Sequence, residues 1–344
     1  MYLLGGRNSN DIFLGDYTTD INVDRDILVW DITKGEGESL QELEAYFRQI
    51  WNEDCVQIKG GRKKNSSDIS VSEEAADDSE DAESNSKNSN IVNGIPNVEN
   101  EITDETQEKL SKYEKQYQSL EMRYASLKEK YTDIEDYSSW QEDTIPANKI
   151  TLVNNGTHAG PKTPLVLQTI RYLAQNAENV TIQTPYVICN GYMYDTLNEI
   201  AFHARLKIIL NAVEKGSNPW GCTDYLNQKK KILNTGADVY ELMNEVPVHT
   251  KAVLLDDRLS VVGSYNLDMR STYLDTELML VIDSKELNQQ IQSTEGTYIE
   301  KSKEVLSNGQ ETEGAQYETK VLNWQKKLFY GVLRIIIRPL RQLL

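Results

Sequence analysis

The sequence predicts an α/β fold, on two observations. After Ile150, short stretches rich in Val, Ile and Leu alternate with stretches of helical periodicity. In addition, the opening Leu3-Leu4-Gly5-Gly6-Arg7-Asn8 repeats the pattern of Val261-Val262-Gly263-Ser264-Tyr265-Asn266. A third observation bounds the class. Only 39% of the 344 residues are hydrophobic, and no apolar run reaches the roughly 18 to 20 residues that span a bilayer, so a polytopic membrane protein is excluded.

Read in order, residues 1–58 form a folded start. Met1 to Arg7 reads as a short apolar strand, neither a signal peptide nor a polar leader. A polar loop follows from Asn8 to Asn22, then a strand from Arg25 to Trp30. A helix is expected over Leu40–Trp51, where Leu40, Leu43, Phe47, Ile50 and Trp51 recur at helical spacing as a core stripe. Composition then shifts to Ser, Asn, Asp and Glu across 59–105, which lacks the apolar surface to offset chain entropy and is expected to be disordered. Within 106–137, Leu110, Tyr113, Tyr117, Leu120, Tyr124, Leu127, Tyr131 and Ile134 recur at alternating intervals of three and four, a heptad seam. Such a helix either pairs with another helix or lies on the chain's own body; tyrosine suits a half-wet surface better than a tight seam.

Residues 138–299 carry the α/β alternation. Strands are expected at Ile150–Val153, Val180–Thr184, Lys207–Ala212, Asp238–Leu242, Lys251–Leu255, Leu259–Gly263 and Glu277–Ile282. Helices are expected at Thr163–Gln175, Tyr192–Ala204, Thr223–Asn234 and onward from Lys285, with His203 on a helix surface. Residues 300–318 read as a polar, acidic linker, and 319–344 as a basic amphipathic helix. In that helix Lys327, Arg334, Arg338 and Arg341 line one face while Leu328, Val332, Ile335 and Ile336 line another. Such a helix suits an anionic membrane surface, or else packs on the α/β body with its cations in water.

Charge narrows the partners. The chain carries 54 acidic and 36 basic side chains, net −18, with no general basic field, which argues against nucleic acid. Three cysteines, Cys55, Cys189 and Cys222, with no C-x-x-C spacing, fit a reducing compartment rather than a disulfide framework, and no metal-site spacing occurs.

The chemistry concentrates in 248–271. His249 and Lys251 alternate on a strand, so both side chains point to one face. Gly263, Ser264 and Asn266 end the next strand, where Gly permits close backbone approach and Ser and Asn supply short hydrogen-bonding groups. A phosphodiester needs its non-bridging charge neutralised, a nucleophile, and an acid for the leaving oxygen. Lys251 and Asn266 suit the first task, and His249 suits either of the others. Glu277, on the following strand, is expected to hold the imidazole's other nitrogen and fix its tautomer. The reaction class is phosphoryl or phosphatidyl transfer without metal or cofactor.

At these residues the chain resembles the phospholipase D superfamily, marked by H-x-K-x4-D followed by G-S-x-N, here His249, Lys251 and Asp256, then Gly263, Ser264 and Asn266. The resemblance implies a mixed-sheet sandwich with flanking helices, its second half complete and its first half partial. It also implies that His249 and Lys251 work at the phosphate, supported by Asn266 and Glu277, with Asp256 more often a structural group. Gly263 and Ser264, Asn8 and Asp26 from the repeat, and His158 in the loop Asn154–Gly160 are expected to support the phosphate, although His158 equally suits a hydrogen bond within its own loop. The Asp24-Arg25-Asp26 strand reads against Asp275-Thr276-Glu277, which sets Asp26 opposite Glu277 in the repeat. The Gly-Gly-Arg-Asn start, Phe47 to Trp51 and Ile182 to Tyr186 are most similar to bacterial cardiolipin synthase-type members.

Such members pair two motifs at one pseudo-twofold site, and the first His and Lys do not occur here. One reading is the C-terminal part of a longer two-motif protein or an internal start, with little activity in the isolated chain. Others are a one-motif homodimer, acting as a phosphodiesterase or nuclease, and an inactive membrane-associated remnant. The resemblance implies an anionic, phosphatidylglycerol-like donor, an alcohol acceptor, and a peripheral site on the cytoplasmic side of the bacterial membrane.

Overall fold

The computed structural model describes residues 1–9, 11–14, 21–53, 104–133 and 136–341. They fall into two compact units, 1–57 with 144–344, and 58–143. The smaller unit holds α3 (Asp104–Lys130) and α4 (Tyr137–Glu142). Tyr113, Tyr117, Leu120 and Tyr124 of the heptad seam are exposed along α3. The stretch 59–105, read from composition as disordered, lies outside the described residues except for 104 and 105, which open α3.

The larger unit begins with β1 (Tyr2–Gly5), α1 (Asp11–Leu14), β2 (Asp26–Val29) and α2 (Glu38–Trp51). It continues with β3 (Lys149–Asn154), α5 (Leu165–Ala174), β4 (Asn179–Gln183), β5 (Val187–Ile188), α6 (Gly191–His203), β6 (Arg205–Asn211), α7 (Pro219–Leu233) and β7 (Asp238–Leu242). Then come β8 (Ala252–Leu255), β9 (Leu259–Gly263), β10 (Leu267–Asp268), α8 (Met269–Tyr273), β11 (Leu278–Asp283), α9 (Lys285–Glu300), β12 (Ser302–Val305), β13 (Glu311–Glu313) and α10 (Trp324–Leu340). The local chemistry explains the helix starts. Asn190, Asn218, Ser284 and Asn323 each accept a first-turn N–H at the N-cap of α6, α7, α9 and α10, and Pro219 opens α7 where no N–H is missed.

Among the described residues one nine-stranded mixed sheet runs β13-β12-β7-β6-β4-β8-β9-β11-β3, with β4, β6 and β7 parallel and the other pairs antiparallel. Strand side chains alternate between its faces. Val180, Ile182, Leu206, Ile208, Val253, Val261 and Met279 pack with α5, α6 and α7 in the largest core. On the other face Leu152, Leu280 and Ile282 meet Tyr46 of α2 and Leu4 and Val29 of β1 and β2, while Ala252, Leu254 and Val262 meet Ile291 of α9. The hairpin of β1 and β2 is thus a cover on the sheet, not part of it. The expected α/β fold with a mixed sheet and flanking helices is the one observed.

Three sequence expectations change. The helix expected from Leu40 starts at Glu38 and buries Tyr46, while Phe47 is 56% exposed and stacks on Trp51. The buried stripe is set by β3 beneath it, where the Leu152 N–H donates to Glu42 at 2.8 Å. Residues 300–318, read as a linker, instead add β12 and β13 to the sheet edge. Ser302 and Val305 face inward, and Lys303 pairs with Glu241 at 3.2 Å and Glu311 at 3.4 Å, the charged pattern of an edge strand. Finally, the basic face of the last helix is only half free, with Lys327 and Arg338 exposed and the other two arginines bound to the body. Arg334 donates to Asn227 Oδ1 and to the Leu226 carbonyl, and Arg341 forks onto buried Asp224 at 2.6 and 3.1 Å. Tyr330, Leu333 and Ile337 are buried on the same side. Removing Arg341 would strand a buried carboxylate, a loss of about 3–5 kcal/mol for a fully buried pair and less at this partly exposed arginine.

Candidate active site

The His249 segment is set from two directions. Asn211, at the end of β6, accepts the Val248 N–H at 2.9 Å and donates to the Val248 carbonyl at 2.8 Å, so both backbone groups before His249 are fixed by one amide. From the other side Val23 forms a parallel bridge with Val248. Its N–H donates to the Pro247 carbonyl at 2.9 Å, and the His249 N–H donates to the Val23 carbonyl at 2.6 Å. The next residue, Asp24, is thereby placed against the imidazole, with Oδ2 2.7 Å from His249 Nδ1. Phe13 closes the ring's flank edge-on, 4.7 Å between centroids.

Lys251 lies one residue before β8 and is 2% exposed. Its Nζ lies 2.5 Å from His249 Nδ1, 3.1 Å from Nε2, 2.6 Å from the His249 carbonyl and 3.9 Å from Asp24 Oδ2. An ammonium only donates and a carboxylate only accepts, so Asp24 has the stronger claim on an Nδ1 proton, which leaves Nε2 as the reactive nitrogen. Gly6 makes room for the lysine. A Cβ on Gly6 would sit 2.8 Å from Lys251 Cδ and 2.9 Å from the Gly263 carbonyl.

Burial and charge oppose each other here. Burial pushes the His249 pKa down, against the hydrogen bond it donates to Asp24, and the net result lies below the ordinary histidine value. Burial alone would raise Asp24, but the His249 hydrogen bond and the Lys251 charge outweigh it and hold the carboxyl below its usual range. Lys251 is lowered to about 8 by burial, partly offset by Asp24, Glu277 and Asp268. Glu277 is raised to about 7 by burial, with hydrogen bonds from Ser264 and Ser271 working the other way. Asp268 is likewise raised to about 6 by burial.

The structure brings together only part of the expected set. His249 and Lys251 share one patch with Gly263 and Gly6. Asn266 lies near Ser271, to whose Oγ its Nδ2 donates at 3.3 Å, and its buried Oδ1 has no protein partner among the described residues. Glu277 does not take the place expected for it. Its carboxylate accepts from the Ser264 hydroxyl, and Asp24 holds the imidazole. The strand registers give the reason. Gly5 pairs with Asp26 and Gly263 with Met279, so the residue matching Glu277 in the repeat is Asp24, two positions before the match made from sequence. Asp26 pairs instead with Arg7 Nε at 2.6 Å, and Arg7 also reaches the Asp24 carbonyl at 3.2 Å.

The remaining candidates lie elsewhere or point away. Asp256 ends the far side of β8 with a left-handed φ of 50°, and its Oδ1 accepts the N–H groups of Glu178 and Asn179 at 3.0 and 2.9 Å, a structural clamp. His158 is exposed, and its Nε2 bonds within its own loop to the Pro161 carbonyl at 3.2 Å. Asn8 is exposed. His203 lies exposed at the end of α6, as expected. The sequence reading missed Asp24, Phe13 and the Arg7 brace. Asp24 was recoverable from the repeat had the strand register been known.

Residues 169–294, which hold His249 through Glu277, match the family described as cardiolipin synthase, PLD-like domain. Cardiolipin synthase A of Escherichia coli O157:H7 (strain EC4115 / EHEC) is 30% identical over 153 residues, covering 42% of this chain and 30% of the relative. Cardiolipin synthase A of Buchnera aphidicola subsp. Schizaphis graminum (strain Sg) is 32% identical over 169 residues, covering 48% and 32%. The matched stretch is therefore about a third of either relative's length. The crystal structure of phosphatidylserine synthase from Haemophilus influenzae Rd KW20 is similar at 18% identity, over 58% of this chain and 49% of that one, with a TM-score of 0.42, too slight a likeness to bear on fold or activity. The segment similar to that family is the one that carries the H-x-K-x4-D and G-S-x-N residues.

Proposed function

We propose that this chain acts in phosphatidyl transfer of the cardiolipin synthase kind, on an anionic phospholipid such as phosphatidylglycerol at the cytoplasmic membrane face. The observation that carries the reading is the Asp24–His249–Lys251 cluster, an imidazole with one nitrogen held by a carboxylate at 2.7 Å and an ammonium 2.5 Å from the ring. A carboxylate on Nδ1 leaves Nε2 to move a proton, and a buried ammonium suits a non-bridging phosphate oxygen.

In this reading a nucleophilic nitrogen attacks phosphorus, a P–N bond forms, and the P–O bond to the leaving alcohol breaks as protonated His249 gives that oxygen its proton. Neutral His249 then removes a proton from the acceptor alcohol, whose oxygen attacks phosphorus and expels the nitrogen. The resemblance to two-motif phospholipase D members implies an imidazole as that nucleophile. Glu277, the counterpart of Asp24 in the repeat, is the group suited to orient it, and Lys251 suits the phosphate, with the Asn266 Nδ2 as a second donor if it turns from Ser271.

The test is purified chain with phosphatidylglycerol vesicles, read by mass spectrometry for cardiolipin and glycerol, with acid-labile phosphohistidine trapped on quenching. Little lipid product is expected from the isolated chain, whose sequence holds one His-x-Lys pair, and what forms should disappear in His249→Asn. Cleavage of DNA with no lipid product would favour a phosphodiesterase instead, and no turnover of either with wild-type His249 would remove the catalytic reading for this chain alone.

A further inference from the structure

The last helix carries apolar residues on its outer side as well as its inner one. Its polar groups Arg334 and Arg341 face the protein, held by Asn227 and Asp224, beside buried Tyr330, Leu333 and Ile337. One turn of an α-helix takes 3.6 residues, so the opposite side carries Trp324, Leu328, Val332, Ile335 and Ile336. These are 72%, 61%, 51%, 69% and 48% exposed. Phe329 and Leu340, 51% and 41% exposed, widen this face on one flank, while Lys327 and Arg338 rim the other and are exposed as well. An apolar helix face turned to water is costly unless something covers it.

We propose that this outward face of α10 is the docking surface for an anionic lipid bilayer. Charge selects that occupant. After Glu318 the chain carries six Lys or Arg and no Asp or Glu, in a protein of net −18. A second copy of the helix would bring like charges together at the rim, whereas anionic headgroups neutralise them while the apolar strip enters the acyl boundary to a depth of about 5–10 Å. Trp324 at the start of the strip is of the residue type that settles at the headgroup level. The helix lies on the surface, since none of the described helices is long and apolar enough to cross a membrane.

The docking helix is also tied to the candidate site. Arg341 bonds the Cys189 carbonyl as well as Asp224, one residue beyond β5, and β5 pairs with β10, which directly follows Asn266. A bilayer under α10 therefore lies on an element braced to the strand pair beside the phosphate-binding residues.

Docking by α10 requires nothing of His249, so it is measured without turnover, by flotation of the purified chain with phosphatidylcholine vesicles with and without phosphatidylglycerol. Wild type is expected to float with the anionic vesicles and to lose binding as salt rises. The double variant Leu328→Glu with Ile335→Glu, both at exposed positions, is expected to bind about tenfold more weakly or worse with an unchanged circular dichroism spectrum. Lys327→Glu with Arg338→Glu is expected to lose the preference for phosphatidylglycerol. Equal flotation of wild type and the Leu328/Ile335 variant overturns the proposal, as does absence of wild-type flotation. Self-association of lipid-free wild type that this variant abolishes overturns it too, by assigning the face to a second copy. Flotation without turnover would leave docking in place and count only against the catalytic reading.

Discussion

The hairpin of β1 and β2 and the pair of β9 and β11 follow one plan in different surroundings. In each, a strand ending in glycine lies antiparallel to a strand preceded by a carboxylate, with Gly5 opposite Asp26 and Gly263 opposite Met279. The pair β9 and β11 sits inside the nine-stranded sheet, whereas β1 and β2 form a separate two-stranded cover with Leu3 65% exposed. The carboxylate of the cover, Asp24, reaches across to His249, while that of the central pair, Glu277, stays with Ser264 in its own neighbourhood. A repeated pattern thus fixes where a carboxylate stands in its hairpin but not which imidazole it meets; that depends on how the hairpins pack.

The division of labour between the two carboxylates can be broken by experiment. The largest effect is expected at the group the cover attends. His249→Asn should lower lipid turnover by about 10³-fold, within the range for a proton-transfer group, and a smaller loss than about tenfold would refute its role. Asp24→Asn should lower turnover by about 10²-fold and move the His249 titration, followed by NMR, further down, because the carboxylate that favours the imidazolium is gone. Glu277→Gln should leave that titration where it is. If Glu277→Gln displaced it as far as Asp24→Asn does, the two hairpins would not be divided as described.

A pH profile sharpens the comparison where both carboxylates bear on one lysine. Burial sets the Lys251 pKa at about 8, against the pull of Asp24 and Glu277. The ammonium is the form that neutralises phosphate, so kcat/KM should fall as pH rises through about 8. A bound phosphodiester adds negative charge and raises the lysine pKa, so the fall in kcat should come at higher pH. Coincident limbs in both profiles would argue against Lys251 touching the phosphate.

The smallest effect is on stability. A Cβ at Gly263 would come 2.1 Å from the Leu278 carbonyl, a fixed ladder atom of the central sheet. At Gly5 the closest atom is the Asp26 carboxylate at 2.0 Å, a side chain able to turn away, with the Arg25 carbonyl at 2.7 Å in a hairpin of only two strands. Gly263→Ala should therefore cost about 1–3 kcal/mol in urea denaturation and Gly5→Ala less. The reverse order would mean that the cover is the stiffer of the two.

How much of this was legible varies by residue for physical reasons. His249 and Lys251 share a face because strand side chains alternate, which is local, and the G-S-x-N residues follow from the same chain segment. Asp24 was not legible as the imidazole's partner. Its place depends on the Val23–Val248 bridge, which joins residues more than 200 positions apart. Phe47 shares the helical stripe as well as Tyr46 shares the helix, and only the position of β3 chooses between them. The short strands β12 and β13 carry charged residues because they lie at an edge, and their composition therefore reads as a linker.

By itself, the sequence determined the main strands and helices between 150 and 299, the imidazole and ammonium on one face, and the family likeness of 169–294, since each rests on spacing along a continuous stretch of chain. The tertiary structure alone decided that Asp24 rather than Glu277 holds His249, that Asp256 clamps a distant turn, and that α10 turns Arg334 and Arg341 toward the protein and an apolar strip outward. Those outcomes depend on which surfaces meet across the fold, and contact between distant segments leaves no period in the sequence from which to read it.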